Sequence, residues 1–250
     1  MTSSFSSWEP PSACPQAGDD AVHVWRVELS QSARIVKRLL PILSSDEHAR
    51  AERFRFQKHR NQFIIARGTL RIILARYLQS DPDQLEFGYG PYGKPALAGA
   101  HGKDAIRFNL THSHELALYA VVGGRELGID AEWVREDFAS EQIANRFFSK
   151  REVAMLRSLP ASQRTAGFFN CWTRKEAYIK AVGRGLSLPL GQFDVSLAPG
   201  EPAVVLETRD SARSGSIWSL HELSAGPGYA AAVAVEGEMK HYSYWQWGEW

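Results

Sequence analysis

The chain has 250 residues, of which 44% are hydrophobic and 23% charged, a composition typical of a globular protein large enough to bury a substantial core. The formal net charge is only +1, so the overall charge predicts no nucleic-acid partner. Two cysteines, Cys14 and Cys171, exclude a disulfide framework and a four-cysteine zinc site. With no signal-peptide pattern at the start and no apolar stretch long enough to cross a bilayer, we expect a cytoplasmic protein without membrane contact.

The first third of the chain predicts an arm, a strand and a long helical region. Residues 1–20 are rich in Ser and Pro and predict a loose arm, and residues 21–30 alternate as a strand does. Residues 44–79 predict helix, with a capping signal at Ser45 or Asp46. Its second part carries an apolar stripe formed by Phe63, Ala66, Leu70, Ile73, Leu74 and Tyr77. Three arginines align beside this stripe, where they are either solvated or able to grip phosphates: Arg60, Arg67 and Arg71.

A Gly/Pro loop at residues 88–97 carries Lys94, and short strands follow it. The segment NLTHSH places His112 and His114 two residues apart after a strand, without a third soft ligand for zinc. A histidine in this position either satisfies a backbone group or donates to a phosphate, assisted by the Thr111 hydroxyl.

The segment LGIDAEWV places two carboxylates on one face of a strand. Because strand side chains alternate, Asp130 and Glu132 point to one side. The residues that point to the other side are Leu127, Ile129, Ala131 and Trp133. The acids are either the solvated face of a half-buried strand or, with a cation between them, ligands of Mg²⁺.

The strongest helical pattern in the second half lies at residues 171–182. Trp172, Glu176 and Lys180 share one column of this helix, and Gly183 predicts its C-terminal cap. A surface Glu–Lys pair is one interpretation. The apolar bulk around these charges favours the other, a functional pair on a mostly covered helix. Ser149 and Glu152 predict a capping box upstream, and strands are predicted at 193–198, 203–208, 216–223 and 228–237.

Two strands of similar composition suggest that the chain is built from two similar α+β halves. Residues 115–124 and 228–237 are both rich in Ala and Val and end in Gly. We therefore predict a loose arm at 1–20, one half at 21–125 and a second at 126–250, with a cleft between them.

The motifs YGKP, FNLTHS, GIDAE, FFSKREVAML and WTRKEAYIKAVGRGLSLPL, taken in this order, resemble the Sfp-type 4'-phosphopantetheinyl transferases. The resemblance covers about residues 45–195 and is most specific in G-I-D-x-E and W-x-x-K-E-x-x-x-K-x-x-G-x-G-L. It implies an α+β pseudo-dimer of two similar halves within a monomer, with the active site in the cleft. It also implies transfer of the phosphopantetheine arm of coenzyme A to a serine of an acyl, peptidyl or aryl carrier protein, with release of adenosine 3',5'-bisphosphate.

The resemblance also implies roles for individual residues. Asp130, Glu132 and Glu176 would bind Mg²⁺, Glu176 would be the general base, and Lys180 would stabilise or protonate the leaving group. Thr111 stands where the family usually has serine. The coenzyme would be held by Arg50, Arg67, Lys94, Thr111, His112, Asp130, Lys175 and Lys180.

Two other functions fit parts of the pattern. A Mg²⁺-dependent nuclease would place a lysine two residues after an acid on a strand, and no such lysine follows Asp130. A non-catalytic module that binds coenzyme A or a carrier protein would keep the cations but would not need all three carboxylates.

Overall fold

The structure of the protein is a computed structural model, which describes residues 8–11, 16–102, 106–209 and 217–248. Most of the predicted arm, residues 1–7 and 12–15, lies outside these ranges together with Cys14. The described part of the arm forms hydrogen bonds with the second half of the protein and with β11. The Trp8 indole donates to the carbonyl of Ser224 at 2.8 Å, and Glu9 forms a bridge to Trp245.

The first half contains three helices and five strands among the described residues. Helix α2 begins with a capping box in which the Ser44 backbone N–H donates to Glu47 at 2.9 Å, so the observed cap lies one residue before the predicted Ser45. The elements in chain order are β1 (Ala21–Glu28), α1 (Ala33–Leu39), α2 (Ser45–Glu52), α3 (Gln57–Leu78), β2 (Phe87–Tyr89), β3 (Pro95–Leu97), β4 (Arg107–Ser113) and β5 (Leu116–Val122).

The second half begins with a strand and three helices. The predicted capping box of α5 is confirmed, because Ser149 and Glu152 satisfy each other's backbone N–H groups. The predicted Gly183 cap of α6 is also confirmed, with a left-handed φ of 72°. The elements in chain order are β6 (Leu127–Trp133), α4 (Glu141–Phe147), α5 (Lys150–Ser158), α6 (Ala161–Val182), β7 (Phe193–Val195), β8 (Val205–Thr208), β9 (Trp218–Glu222), β10 (Tyr229–Glu236) and β11 (His241–Gln246).

Two larger sheets pack face to face with helices outside them. The first sheet has the strand order β11-β1-β5-β4 and the second β6-β10-β9. Helices α1 and α3 cover the outer face of the first sheet. Helices α4, α5 and α6 cover the outer face of the second. Apolar residues of both inner faces form the central core, so the predicted α+β architecture of two halves is confirmed.

Two predictions about the helices and the domains are corrected. The helical region at 44–79 is two helices, because the chain turns at residues 53–56, where Phe54 packs its ring against Phe63 at 5.5 Å between centroids. Helix α1 was not predicted. Residues 241–246, predicted in the second half, form β11, which lies in the first sheet, parallel to β1. The aromatic side chains of β11 therefore belong to the first half.

Helix α6 lies unusually close to strand β6. A Cβ atom placed on Gly128 would come within 2.2 Å of the Ala177 carbonyl oxygen and of the Ala181 amide nitrogen. Only glycine permits this approach of the helix backbone to the strand. Side chains of α6 therefore reach the edge of β6. No helix among the described residues is long and apolar enough to cross a membrane.

Candidate active site

The two carboxylates on β6 lie between that strand and helix α6. Leu127, Ile129 and Ala131 point into the central core, as the alternating pattern predicts, and Asp130 points to the opposite face. That face is not solvated, since Asp130 is only 4% exposed. Burying a charged carboxylate costs free energy unless it is hydrogen-bonded or paired with a cation. The interpretation as a plain solvated strand face therefore does not hold for Asp130.

Asp130 has partners for one of its two carboxylate oxygens. Its Oδ1 accepts hydrogen bonds from Lys180 Nζ at 2.7 Å and from Thr111 Oγ1 at 3.2 Å. Its Oδ2 is buried and has no hydrogen-bond partner among the described residues. A buried carboxylate oxygen without a partner costs free energy, and it is the kind of atom that a bound cation would satisfy.

Helix α6 brings Glu176 and Lys180 to the same place. Lys180 also donates to the carbonyl of Ile129 at 3.2 Å, which anchors its side chain on β6. Burial raises the pKa of Glu176 to about 7, with Asp130 and Glu132 adding repulsion and Lys180 opposing it. A carboxyl group with this pKa can take up and release a proton near neutral pH.

The third carboxylate, Glu132, is partly buried and hydrogen-bonded by Ser113 Oγ at 2.8 Å. Burial raises its pKa, and the negative charge of Asp130 raises it further. Asp130, Glu132 and Glu176 therefore repel one another. Such a set is stabilised by a cation among its members.

These carboxylates fit a divalent cation that prefers oxygen ligands. The fit rests on the partnerless Asp130 Oδ2 and on the mutual repulsion that raises the pKa of Glu176 and of Glu132. No three His, Cys, Asp or Glu side chains already converge as a metal cluster anywhere in the described ranges. The three carboxylates would therefore have to draw together around the ion, as expected for anions that repel one another without it.

A cavity of about 1000 Å³ opens between α2, α3 and β4, on the face of β4 opposite the side chains that contact Asp130 and Glu132. Its wall is rich in cationic and titratable side chains, which makes it suited to an anionic ligand. Strand β4 contributes Leu110 and His112, the side chains that alternate with those facing β6. The nitrogen-bearing residues of the wall are Arg50, Arg53, His59, Gln62, Arg67, His112 and His114.

Arg50 and His112 lie on this wall with exposed side chains. Although part of the His112 side chain is exposed, desolvation of its ring by the surrounding protein lowers its pKa. The positive charges of Lys180 and Arg50 lower this pKa further. The ring is therefore neutral near pH 7 when no anion is bound. Thr111, the preceding residue, lies on the other face of β4 and contacts Asp130.

Arg67 lies on the same wall but already has partners. Its Nε donates to Glu47, its Nη2 donates to the Tyr89 hydroxyl at 3.0 Å, and its guanidinium lies 4.2 Å from the centre of the Phe87 ring. Arg71, which the sequence placed in the same row, is 1% exposed and bound to Glu47 and to the carbonyls of the 82–85 turn. Arg71 is therefore structural.

Lys94 lies at the end of helix α6, away from that cavity. Its Nζ donates to Glu126 at 2.7 Å and to the Ala181 carbonyl at 3.0 Å. It lines a smaller cavity of about 190 Å³ together with Lys180 and Tyr92. The structure thus places Lys94 and Lys180 on one wall.

The prediction that Lys175 contacts a phosphate is wrong. Its side chain is 0% exposed and forms an ion pair with Glu152 at 2.8 Å. It also donates to the carbonyls of Leu190 and Phe193 at 2.7 and 2.6 Å. Successive helix residues are about 100° apart, so Lys175 turns into the core of the second half while Glu176 faces the carboxylates.

We expect Lys175→Met to destabilise the fold by roughly 3–5 kcal/mol, because it leaves Glu152 buried without its cation. Urea unfolding followed by circular dichroism measures this loss. Lys58→Met is the matched control, since Lys58 also pairs with a glutamate at 2.8 Å but is 60% exposed. An equal loss in both variants would contradict the structural role of Lys175, and adding Glu152→Gln to Lys175→Met should recover part of the loss.

Three residues that hold the walls of the site in place were not predicted. Glu47 lines the cavity and binds both Arg67 and Arg71. Its signal was the S-x-x-E spacing from Ser44, a capping pattern. Asn109 and Ser113 join β4 to β6, and their signal was the polar alternation N-x-T-x-S along β4.

Comparison with known proteins gives a consistent result for both halves. A model of the 4'-phosphopantetheinyl transferase superfamily matches residues 126–234, and a model of the 4'-phosphopantetheinyl transferase N-terminal domain matches residues 25–124. A solved structure of Helicobacter pylori holo-[acyl-carrier-protein] synthase in complex with coenzyme A is 21% identical. It covers 44% of this chain and 99% of that chain, with a TM-score of 0.36.

Two curated relatives match most of the chain. The 4'-phosphopantetheinyl transferase HetI of Nostoc sp. is 42% identical over 228 residues, which are 91% of this chain and 93% of that protein. The 4'-phosphopantetheinyl transferase Sfp of Bacillus subtilis is 32% identical over 202 residues, or 80% of this chain and 84% of that protein. With family models matching both halves and a relative matching nearly its whole length, the chain belongs to the 4'-phosphopantetheinyl transferase superfamily.

Proposed function

We propose that this protein transfers the 4'-phosphopantetheine arm of coenzyme A to a serine of a carrier protein, with Mg²⁺, and releases adenosine 3',5'-bisphosphate. The observation that carries the proposal is the position of Glu176. It is a carboxyl group with a pKa of about 7 that feels the charges of Asp130 and Glu132. The cation-rich cavity lies on the other side of β4, where His112 faces the cavity while Thr111 contacts Asp130.

The cavity supports the binding of the coenzyme's phosphates. Arg50 and Arg53 are exposed on its wall, and neutral His112 can gain a proton when a phosphate approaches. Arg67 and Lys94 would have to share or exchange their present carboxylate partners, Glu47 and Glu126, to contact a phosphate. Both are therefore weaker candidates than Arg50 for a direct contact.

Asp130, Glu132 and Glu176 would hold the metal. A bound Mg²⁺ would neutralise charge on the pyrophosphate of the coenzyme. Lys180 supports the same carboxylates, because its ammonium group fixes Asp130 Oδ1 at 2.7 Å. Thr111 holds the same oxygen from the opposite strand at 3.2 Å.

The side chains supply a base and an acid for transfer. Glu176 accepts the proton of the carrier serine as its oxygen attacks the phosphorus that bears the pantetheine arm. The bond from this phosphorus to the bridging oxygen then breaks, and adenosine 3',5'-bisphosphate leaves. The Lys180 ammonium stabilises or protonates the departing oxygen. Both groups lie on α6, one helical turn apart.

We also propose that the protein acts as a monomer in the cytoplasm. Thr111 and Ser113 of the first half contact Asp130 and Glu132 of the second half within one chain, which supports a site that needs no second copy. The Cys171 thiol is free and buried among the described residues, which suits a reducing compartment.

Mass spectrometry of a carrier protein tests the function. Incubation with coenzyme A, Mg²⁺ and this protein should add one phosphopantetheine group to the carrier, and a carrier with its serine changed to alanine should gain nothing. Binding of coenzyme A with no mass change would favour the non-catalytic module. Cleavage of DNA by this protein would favour the nuclease.

We expect Mg²⁺ to raise the melting temperature more at about pH 8 than at about pH 6, because a proton must leave Glu176 before the metal binds. Burial raises the pKa of Glu176 from 4.5 to about 7, so its proton stabilises the metal-free fold, and that stability is lost as pH rises between these values. Thermal unfolding with Mg²⁺, and with NaCl of equal ionic strength, measures the effect. Glu176→Gln should remove the difference between the two pH values, and an equal Mg²⁺ shift at both in the parent protein would contradict this assignment.

A further inference from the structure

The two sheets meet at a seam where the edge strands β4 and β6 lie side by side. They belong to different sheets, so no ladder of backbone hydrogen bonds joins them. Side chains that alternate along β4 reach across instead. Asn109 Oδ1 accepts from the Ile129 N–H at 3.0 Å, Thr111 donates to Asp130, and Ser113 Oγ accepts from the Trp133 N–H at 3.0 Å. The seam holds β6 at the two residues that flank its carboxylates.

Ser113 makes one contact that Asn109 does not. Its hydroxyl accepts from the Trp133 backbone and donates to Glu132 Oε2 at 2.8 Å. A hydroxyl has one proton to give, and here that proton is given to the carboxylate. Glu132 is only partly buried, so without this bond its side chain is free to turn towards solvent.

We propose that Ser113 is a positioning residue that holds Glu132 in the orientation required for metal binding, an inference that rests on the proposed function. Groups that hydrogen-bond to a metal ligand orient it, and their loss typically lowers metal affinity about 10–100-fold. Because Ser113 belongs to the strand that also carries Thr111 and His112, it ties Glu132 to the strand that lines the coenzyme cavity.

Matched variants distinguish the positioning of Glu132 by Ser113 from the structural support that the seam gives to the backbone of β6. Ser113→Ala and Asn109→Ala each remove one side-chain acceptor for a β6 backbone N–H, and both bonds are 3.0 Å long. Only Ser113→Ala also removes the donor to Glu132. Ser113→Thr keeps the hydroxyl. Ser113→Cys keeps the volume with only a weak donor, and it replaces Ser113→Ala if that variant does not fold.

The measurement is thermal unfolding during titration with Mg²⁺, without coenzyme or carrier. We expect Ser113→Ala to raise the Mg²⁺ concentration for half-maximal stabilisation about 10-fold and Ser113→Thr to restore it. Asn109→Ala should lower the melting temperature but leave this midpoint within about twofold of the parent value, since its loss is structural.

The possible outcomes are distinct. A Ser113→Ala midpoint equal to that of the parent, or an equal shift in Asn109→Ala, overturns the positioning role while the metal site stands. A parent protein that Mg²⁺ does not stabilise overturns both the metal assignment and this inference. The carrier-protein mass assay remains an independent test of transfer.

Discussion

Glu176→Gln should lower kcat for transfer by about 10²–10⁴-fold, because the amide keeps the shape of the side chain but can neither take the serine proton nor carry charge. The parent carboxyl has a pKa of about 7, raised by burial and by Asp130, so near neutral pH it is poised between base and acid. The amide should not weaken the fold. The substitution removes a carboxylate that Asp130 and Glu132 repel, so the melting temperature should stay the same or rise.

Steady-state transfer and thermal unfolding, measured side by side, test this prediction. Glu141→Gln is the matched control, because Glu141 is an exposed glutamate on helix α4 that pairs with Arg157 on the surface. It should keep the parent kcat. A Glu176→Gln variant with a kcat within about threefold of the parent, in saturating Mg²⁺, would remove Glu176 from the chemistry.

Gly128→Ala should destabilise the protein by about 3 kcal/mol or more, at the upper end of the usual cost of overpacking. The new methyl group would lie 2.2 Å from backbone atoms of Ala177 and Ala181. Neither atom can turn away as a side chain does, so α6 must move off β6. That movement would carry Glu176 and Lys180 away from Asp130, and transfer should be lost even in the fraction that remains folded.

Urea unfolding and steady-state transfer together measure this effect. Gly191→Ala is the control, since a Cβ atom at Gly191 meets nothing within 4 Å and the residue has no left-handed φ. It should behave as the parent does. A Gly128→Ala variant with parent stability and activity would show that the close approach of α6 to β6 is not required.

Several parts of the site could be predicted because their signals are local. The alternation along residues 127–133 was sufficient to place Asp130 opposite Ile129, since a strand reverses its side chains at each residue. The spacing of Glu176 and Lys180 was sufficient to align them on one helix face. The caps at Ser149 and Gly183 were readable for the same reason, as each depends on neighbours within four residues.

Other features could not be read from local patterns. Helix α6 has apolar residues on nearly every side, so its sequence alone did not reveal which charged side chain turns into the core. The ion pair with buried Glu152 places Lys175 in the core, and Glu176 then faces the other carboxylates. Arg67 is bound by Glu47, 20 residues earlier in the chain, which a row of aligned arginines does not disclose.

By itself, the sequence determined the helices and strands around the site, the face on which each acid lies, and the order of motifs that resembles a transferase. Those depend on periodicities of a few residues. Only the tertiary structure decided that β11 joins β1, that Gly128 admits α6, and that Asn109 and Ser113 bridge β4 to β6. These contacts join residues distant along the chain, and they form because they bury apolar surface and satisfy polar groups together, which no short stretch of sequence records.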